Sequence, residues 1–453
     1  MEPLNRDGSP IMTPPHEHRT GWLSPRLART LTETVVGRRA LLQAAALGGV
    51  SWLTPLAELL ARDAERAPQG KPAQSLILVW LGGGPSQLET FDPHPGAKIS
   101  GETQAIDTAL KGVQLAAGYE RLAERLPLAT LVRNVVSKEG DHDRGAYFVK
   151  TGYQLDPTVT HPSIGAILCH QLPVNKVEIP RHISILPDRF AGRGGLLGNR
   201  FDAFKTFDPK NKLPDFTSRV AIERDQQRLQ DRVVVEEAFA RGRRRQADDT
   251  LHNELIGQAR LMMTSEQIQA FEVSQEPAEL RAAYGDTPFG RGLLAARRLV
   301  EVGVRCVEVT LNGWDSHTDN HEIHANRAEE LDPALAALLG DLQTRGLLDS
   351  TIVCCTGEFG RTPKINGVRS GRDHWPSGFS MLLAGGALPR GFVLGETDPE
   401  GTPIKAADGT TVADIHATLL TAFGIDPAHE EIAPIGRPIK FSEGKPVARL
   451  LRS

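Results

Sequence analysis

Residues 75–81 (SLILVWL) run without a polar break into Gly82-Gly83-Gly84-Pro85, and this join constrains the fold more than any other feature. A strand with one wet face alternates apolar and polar residues. An unbroken apolar run instead suits a strand buried on both faces of a mostly parallel sheet. The glycines then let the backbone turn tightly at the strand's carboxyl end. The same habit returns at 128–136, 182–186, 304–311, 351–356 and 380–383. Helical patterns separate these runs, the clearest at 325–347, where Leu331, Leu335, Leu338, Leu339 and Leu342 form an apolar stripe. Strands alternating with helices predict an α/β fold, a mostly parallel sheet covered by helices on both faces.

With 453 residues, 40% of them hydrophobic, the chain can bury a large core. The expected organisation is a polar N-terminal segment and linker over 1–72, then an α/β domain over 73–453. Within it, 217–298 is rich in Glu, Gln, Arg and Ala and lacks a strand pattern, which predicts a helical insertion or cap. Its basic run, 241–245, suits a solvated helix end. A formal net charge of -4 supplies no broad basic field, which argues against nucleic acid as a partner. Cys169, Cys306, Cys354 and Cys355 fall outside any C-x-x-C spacing and are expected to be buried thiols.

The N-terminus bears on location. Arg38-Arg39 precedes a charge-free apolar stretch over 40–53, too short for an ordinary membrane span. That is the shape of a twin-arginine export signal, so the export machinery is an expected partner and the periplasm or another extracytoplasmic compartment the expected location. No clean A-x-A cleavage site follows, which leaves an uncleaved leader as a membrane anchor open.

In open α/β sheets ligands bind at the carboxyl ends of the strands. The run 304–311 leads into Asn312-Gly313-Trp314-Asp315-Ser316-His317, where an extended backbone turns Asp315 and His317 the same way. A carboxylate and an imidazole there suit a divalent metal, one or two ions, with zinc or manganese the natural choices. The run 351–356 delivers Glu358 between glycines and then Arg361, placed for an oxyanion. Asp373 and His374 follow on a loop. After the first strand, Ser86 stands at the glycine turn, with Glu89 and Asp92 on one side of a helical turn beyond it. The second strand leads to Glu139-Gly140-Asp141-His142-Asp143-Arg144, a dense acid and base cluster. His161 and His170 are weaker candidates, and His321 and His324 are expected to be exposed.

The blocks GGGPSQLETFDPHP, HPSIGAIL, YGDTPFGRGLLAARRLVEVGVRCVEV, GWDSHTDN, GEFGRTPKIN, GRDHWP and DIHATLL resemble the bacterial family named domain of unknown function 1501, in order from about Ser75 to Pro438. Members of that family often carry a twin-arginine leader. The family in turn resembles, more distantly, the alkaline phosphatase and sulfatase superfamily. What this resemblance implies is a metal site at the carboxyl edge of the sheet. Asp315 and His317 resemble its Asp…His ligand motif, Glu358 falls where an Asp-His pair ends the next strand, with Phe359 in the His position, and His374 resembles the later histidine ligand. Anchoring on Thr151-Gly152 puts His142 near the nucleophile position, where Cys, Ser or Thr would stand. The combined expectation is an exported metal-dependent hydrolase of phosphate or sulfate esters, acting on a small-molecule or glycan ester. Asp315, His317, Glu358, Asp373 and His374 would hold metal. Arg361, and with it Arg144 or Arg372, would clamp the oxyanion, while His142 would act as nucleophile or general acid/base and Ser86 is a second conceivable nucleophile. The alternative is a non-catalytic exported protein that binds a metal, an anion or a glycan on the same fold.

Overall fold

The computed structural model describes residues 71–213, 220–241, 252–367 and 369–452. The Arg38-Arg39 signal, nearly all of the N-terminal segment, and most of the 241–245 run lie outside them.

Nine strands form one sheet. In chain order they are β1 (Ser75–Gly82), β2 (Ala129–Val136), β3 (His182–Ile185), β4 (Phe204–Thr206), β5 (Cys306–Asn312), β6 (Thr351–Thr356), β7 (Phe379–Gly385), β8 (Phe392–Leu394) and β9 (Thr410–Thr411). Across the sheet the order is β8-β2-β7-β6-β1-β5-β3-β4, with β9 also on β2. β1 sits between β5 and β6, parallel to both, which explains its unbroken apolar character. Its side chains divide by period two: Ile77, Val79 and Leu81 enter one core, Leu76 and Leu78 the other. β6 divides in the same way, sending Val353 and Cys355 to the first core and Ile352 and Cys354 to the second.

Helices cover both faces. On the first lie α3 (Pro288–Glu301) and α4 (Asn320–Thr344), whose Leu331, Leu335, Leu338, Leu339 and Leu342 are buried as the stripe predicts. On the second lie α1 (His142–Thr151), α2 (Ile164–Gln171) and α5 (Val412–Ala422). Between β4 and β5 the described residues form helices only, including Ile222–Ala240 and His252–Thr264. α3, by contrast, is a core helix, with Leu293, Leu294 and Leu299 fully buried. The four cysteines are free and buried. Among the described residues no helix is long and apolar enough to cross a membrane.

β7 breaks the parallel pattern. It runs antiparallel to both β2 and β6, so it begins at the edge where β6 ends. The connection from 357 to 378 therefore never crosses the sheet. It stays at the carboxyl edge and brings Glu358, Arg361, Arg372, Asp373 and His374 with it, folding them over a short ribbon in which His374 pairs with Arg361.

Candidate metal centre

Three loops at this edge are held together by close backbone approach. Gly83, at φ 117°, lies against the backbone of Trp314 and Asp315, where a Cβ would collide. Gly371 packs on the carbonyl of His317 so tightly that only glycine fits. Arg361 ties the assembly. Its side chain is fully buried and donates to the carbonyls of Gly83, of Gly84 (2.8 Å) and of Arg372 (3.1 Å), and to Asp315 Oδ1 (2.6 Å). The guanidinium expected from sequence to face an oxyanion is thus spent inside the protein. Arg372 is spent likewise, on Glu89 and the carbonyls of Ile99, Thr362 and Pro363. Arg144 is half exposed and turns to Glu139 at 3.2 Å.

What Arg361 positions is the meeting point of Asp315 with three histidines. His317 Nε2 lies 3.3 Å and His374 Nε2 3.6 Å from Asp315 Oδ1, and His142 Nε2 lies 3.4 Å from Oδ2. The two nitrogens of His317 and His374 approach to 3.0 Å. One ligand atom from each of His142, Asp315 and His374 falls within 4.8 Å of the others.

The partners behind each ring fix its tautomer. His317 Nδ1 is 2.8 Å from Asp373, His374 Nδ1 is 2.7 Å from the Gly140 carbonyl, and His142 Nδ1 is 2.7 Å from Glu358. Carboxylates and carbonyls only accept, so each Nδ1 carries the hydrogen and each Nε2 of a neutral ring presents a lone pair. Three lone pairs and a carboxylate then face one another, and the one donor among them, Arg361, serves Asp315 Oδ1. His142 Nε2 is buried and has no hydrogen-bond partner. This arrangement is repulsive by itself and is relieved by a cation. It also has the outer layer typical of metal-binding imidazoles, each ring anchored through its second nitrogen.

Electrostatics agree. Burial would raise the Asp315 carboxyl, yet the Arg361 guanidinium holds it below its usual range. Burial pushes His374 down, aided by Arg361, His142 and His317, which favours its neutral form. His142 differs: the hydrogen bond to Glu358 raises it against burial, which favours the protonated ring, and the same bond strengthens the neutral imidazole as a donor to metal. The hydrogen bond from His317 lowers Asp373.

The other sequence candidates divide clearly. Glu358 and Asp373 stand behind histidines: Glu358 Oε1 also accepts from Gly83 N at 3.0 Å. Ser86 is fully buried and its N–H donates to His324 Nε2 at 2.8 Å. His324, expected on an exposed face, is buried for the same reason and packs on Trp314. Asp141 is the N-cap of α1, accepting from Arg144 N at 3.1 Å, and this starts the helix at His142. His161 pairs with Tyr147 and stacks on Tyr153, while His170 lies beside Phe201; neither reaches the cluster. Sequence reasoning gave no part to the Gly140 carbonyl, which orients His374. It placed Phe359 in a histidine position, whereas its ring packs on His142 and His374 at 5.1 and 4.4 Å.

A sequence profile for the family described as "Protein of unknown function (DUF1501)" matches residues 73–451. The chain belongs to that family. No curated protein matches this DUF1501 chain. Among solved structures it is similar to a protein in the alkaline phosphatase superfamily from Vibrio parahaemolyticus, with 12% identity and a TM-score of 0.36, over 79% of this chain and 69% of that one. It is similar also to the lipoteichoic acid synthase LtaP from Listeria monocytogenes, with 11% identity and a TM-score of 0.38, over 83% and 76% of the two chains. A third similarity is to the C-terminal periplasmic domain of EcEptC from Escherichia coli in complex with Zn, with 11% identity and a TM-score of 0.35, over 70% and 75%.

Proposed function

We propose that this DUF1501 chain is an exported metal-dependent hydrolase of phosphate or sulfate esters, with a small-molecule or glycan ester as substrate. The observation that carries the reading is the convergence of three Nε2 lone pairs on Asp315, each ring anchored from behind. His142, His317, His374 and Asp315 would hold a divalent metal, and a donor set of three imidazoles and one carboxylate suits zinc, with manganese the alternative. When bound, such an ion neutralises charge on the transferring group and activates water. Glu358, Asp373 and the Gly140 carbonyl keep the imidazoles in register, and Arg361 keeps the Asp315 carboxylate in place. The Arg38-Arg39 leader would direct the folded protein out of the cytoplasm, cleaved or retained as an anchor.

One observation favours the second reading, a protein that binds metal, anion or glycan without turnover. Among the described residues lining the cleft beside the donors there is no serine, threonine or cysteine to act as nucleophile. Both readings are tested by metal analysis of the purified chain together with aryl phosphate, phosphodiester and sulfate substrates. Bound zinc or manganese with turnover supports the hydrolase. Bound metal without turnover selects the binding protein, and no metal uptake sinks the hydrolase and leaves only the binding of an anion or glycan.

A further inference from the structure

The cleft beside the donor cluster has a volume of about 270 Å³ and carries His142, Asp315 and Glu358 on its wall. Arg189 also lines it, and among the described residues that do so it is the one lysine or arginine. We propose that Arg189 recognises the anionic group of the substrate, the phosphate or sulfate of a monoester. The inference rests on the hydrolase reading for the metal that would share that group.

Arginines nearer the donors are not free for this task. Arg361 and Arg372 are fully buried and bound to carbonyls and carboxylates. Arg144 is turned to Glu139. The Arg189 side chain, by contrast, is 82% exposed, and Asp143 touches one of its guanidinium nitrogens at 3.5 Å. An open ion pair of that length is weak and yields easily to a better acceptor. A phosphate or sulfate offers paired oxygens to the planar fork of a guanidinium.

The backbone beneath Arg189 is held as a recognition loop would be. β3 ends at Ile185, and Leu186 then takes a left-handed φ of 53°, a strained conformation for a leucine, at the carboxyl edge. Asp188 Oδ1 accepts from Phe190 N at 2.8 Å. Lys150, buried on α1, reaches both flanks of Arg189: its Nζ donates to the Phe190 carbonyl at 2.6 Å and lies 3.4 Å from Asp188 Oδ1. A buried ammonium thus pins the residues on either side of an exposed arginine. Pinning the backbone lowers the ordering cost of binding, which then falls on the side chain alone. Charge also fits. Asp188 shares the Lys150 ammonium with Glu308, and Glu358 accepts from His142 and Gly83, so Arg189 and a divalent ion on Asp315 would be the positive charges that meet an anion in the cleft.

The test uses the full chain loaded with zinc or manganese, as wild type, R189A and R189K. Turnover of p-nitrophenyl phosphate and sulfate is measured beside calorimetric binding of inorganic phosphate and sulfate. Losing a charge-assisted contact should raise KM and weaken anion binding about 10- to 100-fold in R189A, with kcat little changed and R189K between the two. Wild-type turnover with an R189A variant of unchanged KM and unchanged anion affinity overturns the role of Arg189 and leaves the hydrolase standing. If wild type turns nothing over, yet R189A still weakens phosphate or sulfate binding, the hydrolase falls and the anion site stands. No turnover and no difference in anion binding overturns both.

Discussion

β5 and its exit loop carry two acidic clusters built from the same residue types, and the two differ in how their charge is closed. Glu308 lies within the strand, fully enclosed, 3.5 Å from Lys150 Nζ and 3.4 Å from His182 Nε2, and it accepts from Gly192 N at 3.2 Å. Burial would raise its carboxyl, but the lysine and the histidine hold it down at about 2. Asp315, beyond the strand's end, meets Arg361 and three imidazole nitrogens whose hydrogens all point away from it. The first cluster contains its own counter-charge and donors. The second has too many lone pairs and too few hydrogens. A dense polar cluster is therefore not in itself a candidate site; what sets the second apart is imidazole lone pairs that no donor meets.

The largest test of this contrast is Asp315→Asn. Replacing the carboxylate should abolish metal uptake and reduce turnover by about 10³-fold or more, read by elemental analysis and ester hydrolysis. A variant that keeps both metal and rate would break the comparison. Glu308→Gln should do the reverse, leaving the buried Lys150 ammonium with Asp188 as its remaining carboxylate. The expected loss is about 1–3 kcal/mol of stability by urea denaturation, with metal stoichiometry of the folded protein unchanged.

A third test uses one neutral histidine behind each cluster. Burial pushes His324 down to about 4, against Glu89 and the Asn320 carbonyl, and pushes His416 down to about 4, against the Lys150 carbonyl. Unfolded, each ring takes a proton below its ordinary value of 6.5; folded, it resists until about 4. In that window the unfolded chain binds more protons, so stability falls as pH drops from 6.5 towards 4, by about 3 kcal/mol per histidine. Urea midpoints that stay flat from neutral pH to the lower end of the window would contradict the buried, neutral state. The smallest effect is expected from the carboxylates behind the imidazoles. Glu358→Gln and Asp373→Asn should each weaken metal affinity about 10- to 100-fold while preserving stoichiometry, measured by competition with a chelator.

Much of the frame was legible in the sequence because burial on both faces leaves an unbroken apolar run. The cores of β1, β2, β3, β5, β6 and β7 fall where such runs stand. The short strands β4, β8 and β9 were not legible, since two or three residues carry no periodicity and are held by their neighbours. Asp315, His317 and His374 were found together with their edge, yet the cause differs in part. His374 arrives there because β7 runs antiparallel, which an apolar run does not reveal. The roles expected of Arg361 and Arg372 could not be checked from sequence, because an arginine next to an active loop looks the same whether its donors face solvent or carbonyls. The expected exposure of His324 failed for a related reason: the N–H of Ser86 that it accepts from comes from a loop 238 residues away.

α1 begins with His142 at the donor cluster and carries Lys150 in its last turn, at the root of the Arg189 loop. Each residue added to a helix turns everything beyond it by about 100°. A single insertion or deletion between these two residues would therefore misaim one of them, whatever its side chain. This helix thus has to keep its length, and related chains should vary there by substitution alone.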